Sequence, residues 1–173
     1  WIALSGLFPQ TIEFLRTEFD GLVPQERLVV WPALQPVADN SPSNRWGREI
    51  GERIREAFLA DLTPDLVHIS SLFEGFADDA ITSVGVFDQE FSTAATLYDI
   101  IPLLHREDYL IDPSREAWYE RKLTHFRRVD LSLAISESSR SEAIARLNLL
   151  PDRVVNISAA AEPKFRPVVI TFD

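Results

Sequence analysis

Short apolar runs alternate with helix-period segments along almost the whole chain, and this alternation restricts the fold more than any other feature. IALSG (2–6), RLVVW (27–31), DLVHIS (65–70), SVGVF (83–87), TAATLYD (93–99), DLSLAIS (130–136) and RVVNIS (153–158) read as strands. Between them, PQTIEFLRTEF puts Ile12, Leu15 and Phe19 on one helical face. NRWGREIGERIREAFLADL spaces Trp46, Ile50, Ile54 and Phe58 four apart, predicting an apolar stripe with Arg and Glu outside. It ends at Thr63-Pro64, because proline disfavours helix in the residue before it. DPSREAWYERKLTHFRRV has Pro113 in its first turn and Tyr119, Lys122, Phe126 and Val129 along one side. SSRSEAIARLNL is the fourth helical segment. Strands and helices alternating at this spacing predict βαβ units, hence a parallel sheet covered on both faces.

In such sheets ligands bind beyond the carboxyl ends of the strands. Three predicted strand ends carry polar clusters: His68-Ile69-Ser70-Ser71, Tyr98-Asp99 and Ser136 to Ser139. Parallel strands would bring all three to one rim. Each cluster has a plain alternative. Ser139-x-x-Glu142 fits a capping box, so these serines either cap a helix or offer hydroxyls and N–H groups to a sugar or phosphate, with Arg140 assisting. His68 either bonds a backbone carbonyl inside the core or faces a ligand. Glu74 and Gly75 follow directly, and Gly75 can adopt a positive φ. Asp99 either caps the next turn or, if the apolar residues around it bury it, requires a partner or ligand. It is the one candidate for a catalytic carboxylate. His105 to Asp108 read as a solvated turn.

Composition narrows the function. The 173 residues include 27 acids against 17 bases, a net charge of −10 that opposes nucleic-acid binding. No apolar run approaches the roughly 20 residues of a membrane span. WIALSG has no basic n-region, so no secretory signal is expected here. Zero cysteines rule out a thiolate nucleophile and fit the cytoplasm. The three histidines lack HxH or HExxH spacing, so no metal site is expected, and no GxGxxG, Walker or G-x-S-x-G pattern occurs. An opening on Trp1 and a final VVITFD that reads as an uncapped strand suggest an internal piece of a longer protein.

PDLVHISSLFEG, TLYDIIPL, AWYERKL and RRVDLSLAISESSRSEAIARLNLLPDRVVNISAAAEPKFRP together resemble the N-terminal half of a family 4 GT-B glycosyltransferase, often called glycosyl transferase group 1. The ordered elements are Asp130, Ser136, Glu137, Ser139, Pro151, Val154 and Phe165-Arg166-Pro167. Tyr98-Asp99 stands where many relatives have His-Asp, and Asn156 to Ala161 replace a familiar "nGvd" segment. The resemblance implies a Rossmann-like three-layer domain over 1–167, with 168–173 starting a linker or strand towards an absent C-terminal donor domain. It implies sugar transfer with retention, mannose or a similar hexose going to a glycan or lipid-linked glycan acceptor in surface polysaccharide synthesis. His68, Ser70, Ser71, Glu74, Tyr98, Asp99, Ser136 and Arg140 would line the acceptor side. No cofactor is expected in these residues, since the nucleotide-sugar would sit on the other domain. The parent would work in the cytoplasm or peripherally at the inner membrane face, and the piece alone would be inactive. Two rival readings share the architecture: a non-catalytic α/β binding or regulatory domain, and a GT-B-type nucleotide-sugar epimerase.

Overall fold

The computed structural model describes residues 1–87 and 90–160. All strand pairings among the described residues are parallel. β1 (Ile2–Ser5) pairs with β2 (Leu28–Trp31), while β3 (Leu66–Ile69), β4 (Ser92–Leu97), β5 (Leu131–Ala134) and β6 (Val154–Asn156) form a four-stranded sheet in that order. Helices α1 (Pro9–Glu18), α2 (Arg45–Asp61), α5 (Pro113–Phe126) and α6 (Glu137–Leu147) alternate with the strands, and two short turns, α3 (Ile101–Leu104) and α4 (Arg106–Tyr109), follow β4. The predicted Rossmann-like α/β organisation is therefore present. β4 is buried at every position from Thr93 to Leu97, as expected of a central strand covered on both faces.

One apolar core joins Ile69, Ala95, Leu97 and Ala134 of the sheet to Tyr119, Leu123 and Phe126 of α5 and Ala143 and Leu147 of α6. The stripe expected on α5 does face inward. A smaller cluster gathers Trp31, Val37 and Ile81 under Ile54 and Phe58 of α2. The two sheets do not pair with each other. β1 and β3 each hydrogen-bond to a strand on one side only among the described residues, and a groove lined by Ala3, Leu66, Val67 and His68 runs between them.

Two expectations fail here. SVGVF forms no strand. Side chains hold it instead: Glu56 accepts from the backbone of Val86 (2.8 Å) and Phe87 (3.2 Å), and Nδ1 of His125 lies 3.0 Å from the Val84 carbonyl. Those bonds replace a ladder. The face of α2 is also rotated from its apolar stripe, with Trp46 73% exposed and Glu52 and Glu56 buried. The buried glutamates are tolerated because α2 and α5 enclose a polar layer. In it Asp39 forms an ion pair with Arg48 (2.5 Å) and accepts from Arg121, and Glu52 lies 4.0 Å from His125. The strand expected in VVITFD, and the boundary at 167–168, lie outside the described residues.

Lys122 closes this layer by donating to the Thr82 carbonyl (2.8 Å) and hydroxyl (2.5 Å). Burial, and then the neighbouring Arg121 charge, push its amine down from 10.5 to about 7. Between those values the folded chain binds fewer protons than the unfolded one, so stability rises with pH across that window. The Tyr119 hydroxyl acts in the opposite sense only above its ordinary 10.0. Urea midpoints should therefore climb from pH 7 to about 9.5, and Lys122→Met should flatten the climb. An equal slope in both proteins would refute this reading of Lys122.

Candidate functional site

The parallel register lines up the strand ends. Ile69 sits beside Ala95, Leu97 beside Ala134, and Ala134 beside Asn156. Ser70-Ser71, Tyr98-Asp99 and Ser136 consequently emerge at the same rim. Ser139 fastens two of them by donating its hydroxyl to the Tyr98 carbonyl at 2.7 Å.

Within the rim the residues do different things. Ser136, and not Ser139, caps α6: its Oγ accepts from the Ser139 amide at 3.1 Å. The capping box expected on Ser139 does not form: the N-cap lies three residues earlier, and Ser139 turns its own hydroxyl to β4. Arg140 donates to the Val154 carbonyl (2.9 Å) and to Glu137 (3.0 Å), holding α6 to β6. His68 is exposed, and its Nε2 lies 2.9 Å from the Thr96 hydroxyl. It lines the groove between β1 and β3, and so does Ser70.

Asp99 is exposed rather than enclosed: Ile100, Leu103 and Leu104 pack into or against the core, while Ile101 is itself exposed. Its Oδ1 accepts from the Ile101 amide at 3.0 Å and starts the next turn, as aspartate commonly does. Its Oδ2 makes no hydrogen bond among the described residues. Glu74 accepts from the Ser71 hydroxyl at 2.6 Å. Gly75 has φ +86°, and a Cβ there would meet the Ala80 carbonyl at 2.2 Å, so the turn that presents Glu74 requires glycine. His105, Glu107 and Asp108 are exposed on the loop side, and Arg106 between them is held by Glu116 (2.6 Å) and Glu120 (2.7 Å) of α5.

Ser71, Tyr98 and Asp99 line a cleft of about 240 Å³ between the ends of β3 and β4 and the helices α4 and α5. The far wall was not anticipated from sequence. Tyr109 comes from α4, and Arg115, Trp118 and Tyr119 come from α5. Trp118 donates its Nε1–H to the Glu74 carbonyl at 3.2 Å, tying α5 to the loop after β3. Its ring centroid lies 5.4 Å from Phe76 and 6.1 Å from Tyr119. Arg115 places its guanidinium 4.9 Å over the Phe76 ring. Chemically this is an aromatic wall facing hydroxyls and one carboxylate.

No known protein-family profile matches the chain, and no solved structure does. Three Escherichia coli proteins, each named serotype-specific mannosyltransferase WbdA, are 32% identical to it over 165 residues. The match takes in 95% of this chain, and the chain spans only 20% of those relatives' length. No helix among the described residues is long and apolar enough to cross a membrane. This α/β domain is a homologue of one segment of those glycosyltransferases.

Proposed function

We propose that these residues form the acceptor-side domain of a retaining, nucleotide-sugar-dependent GT-B glycosyltransferase, whose parent transfers mannose to a growing surface glycan in the cytoplasm. The observation that carries this reading is the cleft itself: Ser71, Tyr98 and Asp99 meet at the carboxyl rim of a parallel sheet. The likeness to the mannosyltransferases supports it. Hydroxyl donors and a carboxylate with one uncommitted oxygen suit a polyol, which offers donors and acceptors in several directions. Transfer also needs a second domain where charge developing on the donor phosphate is stabilised as it leaves. These residues alone hold the acceptor and perform no chemistry.

The test uses the full-length parent with nucleotide-activated mannose and mannose oligosaccharides. Labelled mannose should appear in a longer product with the donor's anomeric configuration. Asp99→Asn should lower kcat/KM for the acceptor about 10- to 100-fold, the loss of a charge-assisted hydrogen bond. An unchanged rate would remove Asp99 from the site, and an inverted product would end the retaining assignment.

A further inference from the structure

The cleft has features that a general acceptor surface does not require, and they narrow what it can hold. At about 240 Å³ it is smaller than the roughly 300–1,000 Å³ pockets that enclose drug-sized ligands. It has room for one ring, not a chain. Its lining among the described residues includes a single cation, Arg115, already laid over Phe76, while Asp99 contributes a negative charge. A phosphate would meet that carboxylate without a free basic partner. The lining therefore disfavours the donor's diphosphate and favours an uncharged ligand.

Tyr119 adds the most specific clue. It lines the cleft, is 3% exposed, and its hydroxyl has no hydrogen-bond partner of good geometry among the described residues. The Leu103 amide beside it donates to the Ile100 carbonyl instead (2.9 Å). A buried hydroxyl left unpaired costs about 1–3 kcal/mol, so its presence in a cleft wall calls for a partner. Burial, and then the nearby Asp99 charge, hold this phenol well above its ordinary range, which keeps it a donor at any working pH. Around it, the Trp118 indole and the half-exposed Tyr109 ring supply flat apolar surface.

We propose that this cleft seats a single pyranose ring of the acceptor glycan, with Trp118 and Tyr109 against the ring's carbon-bound hydrogens and Tyr119 and Asp99 bonding its hydroxyls. The assignment rests on the transferase reading above and deepens it. It makes Tyr119 a positioning residue for the acceptor and gives it no part in donor binding.

Tyr119→Phe is the decisive variant because it deletes only the unpaired oxygen. With the full-length parent, nucleotide-activated mannose and a mannose oligosaccharide, KM for the oligosaccharide should rise about tenfold, the worth of one hydrogen bond. KM for the donor should stay within twofold, and the thermal midpoint should not fall. Tyr109→Ala, at an exposed position on a short turn, should raise the acceptor KM several-fold with the same donor indifference. A Tyr119→Phe enzyme whose acceptor KM stays within twofold overturns the subsite while leaving the transferase reading intact. A rise in donor KM instead would make the cleft a donor site. If the parent transfers no sugar to any oligosaccharide, the transferase reading fails and the subsite falls with it.

Discussion

Asp39→Ala should cost about 3–5 kcal/mol of folding stability, the usual loss when one member of a buried ion pair is removed. The Asp39 side chain is 7% exposed and pairs with both Arg48, 13% exposed, and Arg121, 28% exposed. Deleting the carboxylate leaves two guanidinium groups facing each other, with Glu52, 3.9 Å from Arg121, as the remaining neighbouring carboxylate. Their mutual repulsion then adds to the unpaid desolvation. The backbone role of Asp39, its amide donating to the Gly75 carbonyl at 3.0 Å, survives the substitution, so the loss isolates the side chain. Urea unfolding at pH 7 should show a much lower midpoint, with little change in moderate salt because a buried pair is weakly screened. A loss under about 1 kcal/mol, typical of an exposed pair, would mean the layer is wet.

The second large effect is Phe126→Ala, expected to cost about 3–5 kcal/mol from lost transfer energy and an unfilled cavity. Phe126 is 0% exposed, and its ring centroid lies 6.1 Å from that of Phe73. It sits where α5 meets the main sheet, so few neighbours can collapse into the space. Phe126→Leu should cost clearly less, because most of the volume remains. The slope of unfolding against denaturant should stay constant while the midpoint drops. Equal losses for the alanine and leucine variants would argue that shape, not cavity volume, governs this site. Set against a typical total of about 5–15 kcal/mol, either alanine variant removes a large share.

The sheet's main features were legible because periodicity is a local signal. Alternating runs marked β3, β4, β5 and β6, and parallel connection alone predicted that Ser71, Tyr98 and Ser136 would emerge together. The Asp39–Arg121 contact was not legible, since its partners stand 82 residues apart, Asp39 in a loop and Arg121 off the inward stripe of its helix. The same blindness misplaced α2. Spacing of Trp46, Ile50, Ile54 and Phe58 spoke for an apolar stripe, but Glu52 and Glu56 find partners on α5 and the 84–87 loop, which makes their burial affordable. Asp99 was correctly located at a strand end, and of its two readings the structure has the exposed turn cap and not the enclosed carboxylate. The aromatic wall had a usable signal: Arg115, Trp118 and Tyr119 fall at i, i+3 and i+4 near the start of α5. That signal was absorbed into the core stripe, because Tyr119 belongs to both.

The separation of β1 from β3 bears on how this polypeptide behaves at different concentrations. β1 and β3 each present an edge with no further strand partner among the described residues, and a groove runs between those edges. Each edge is a template that any extended segment of suitable hydrophobicity can complete, whether from elsewhere in the same parent or from another molecule. An open edge of this kind favours lateral pairing of extended backbone, so self-association is expected to grow with concentration.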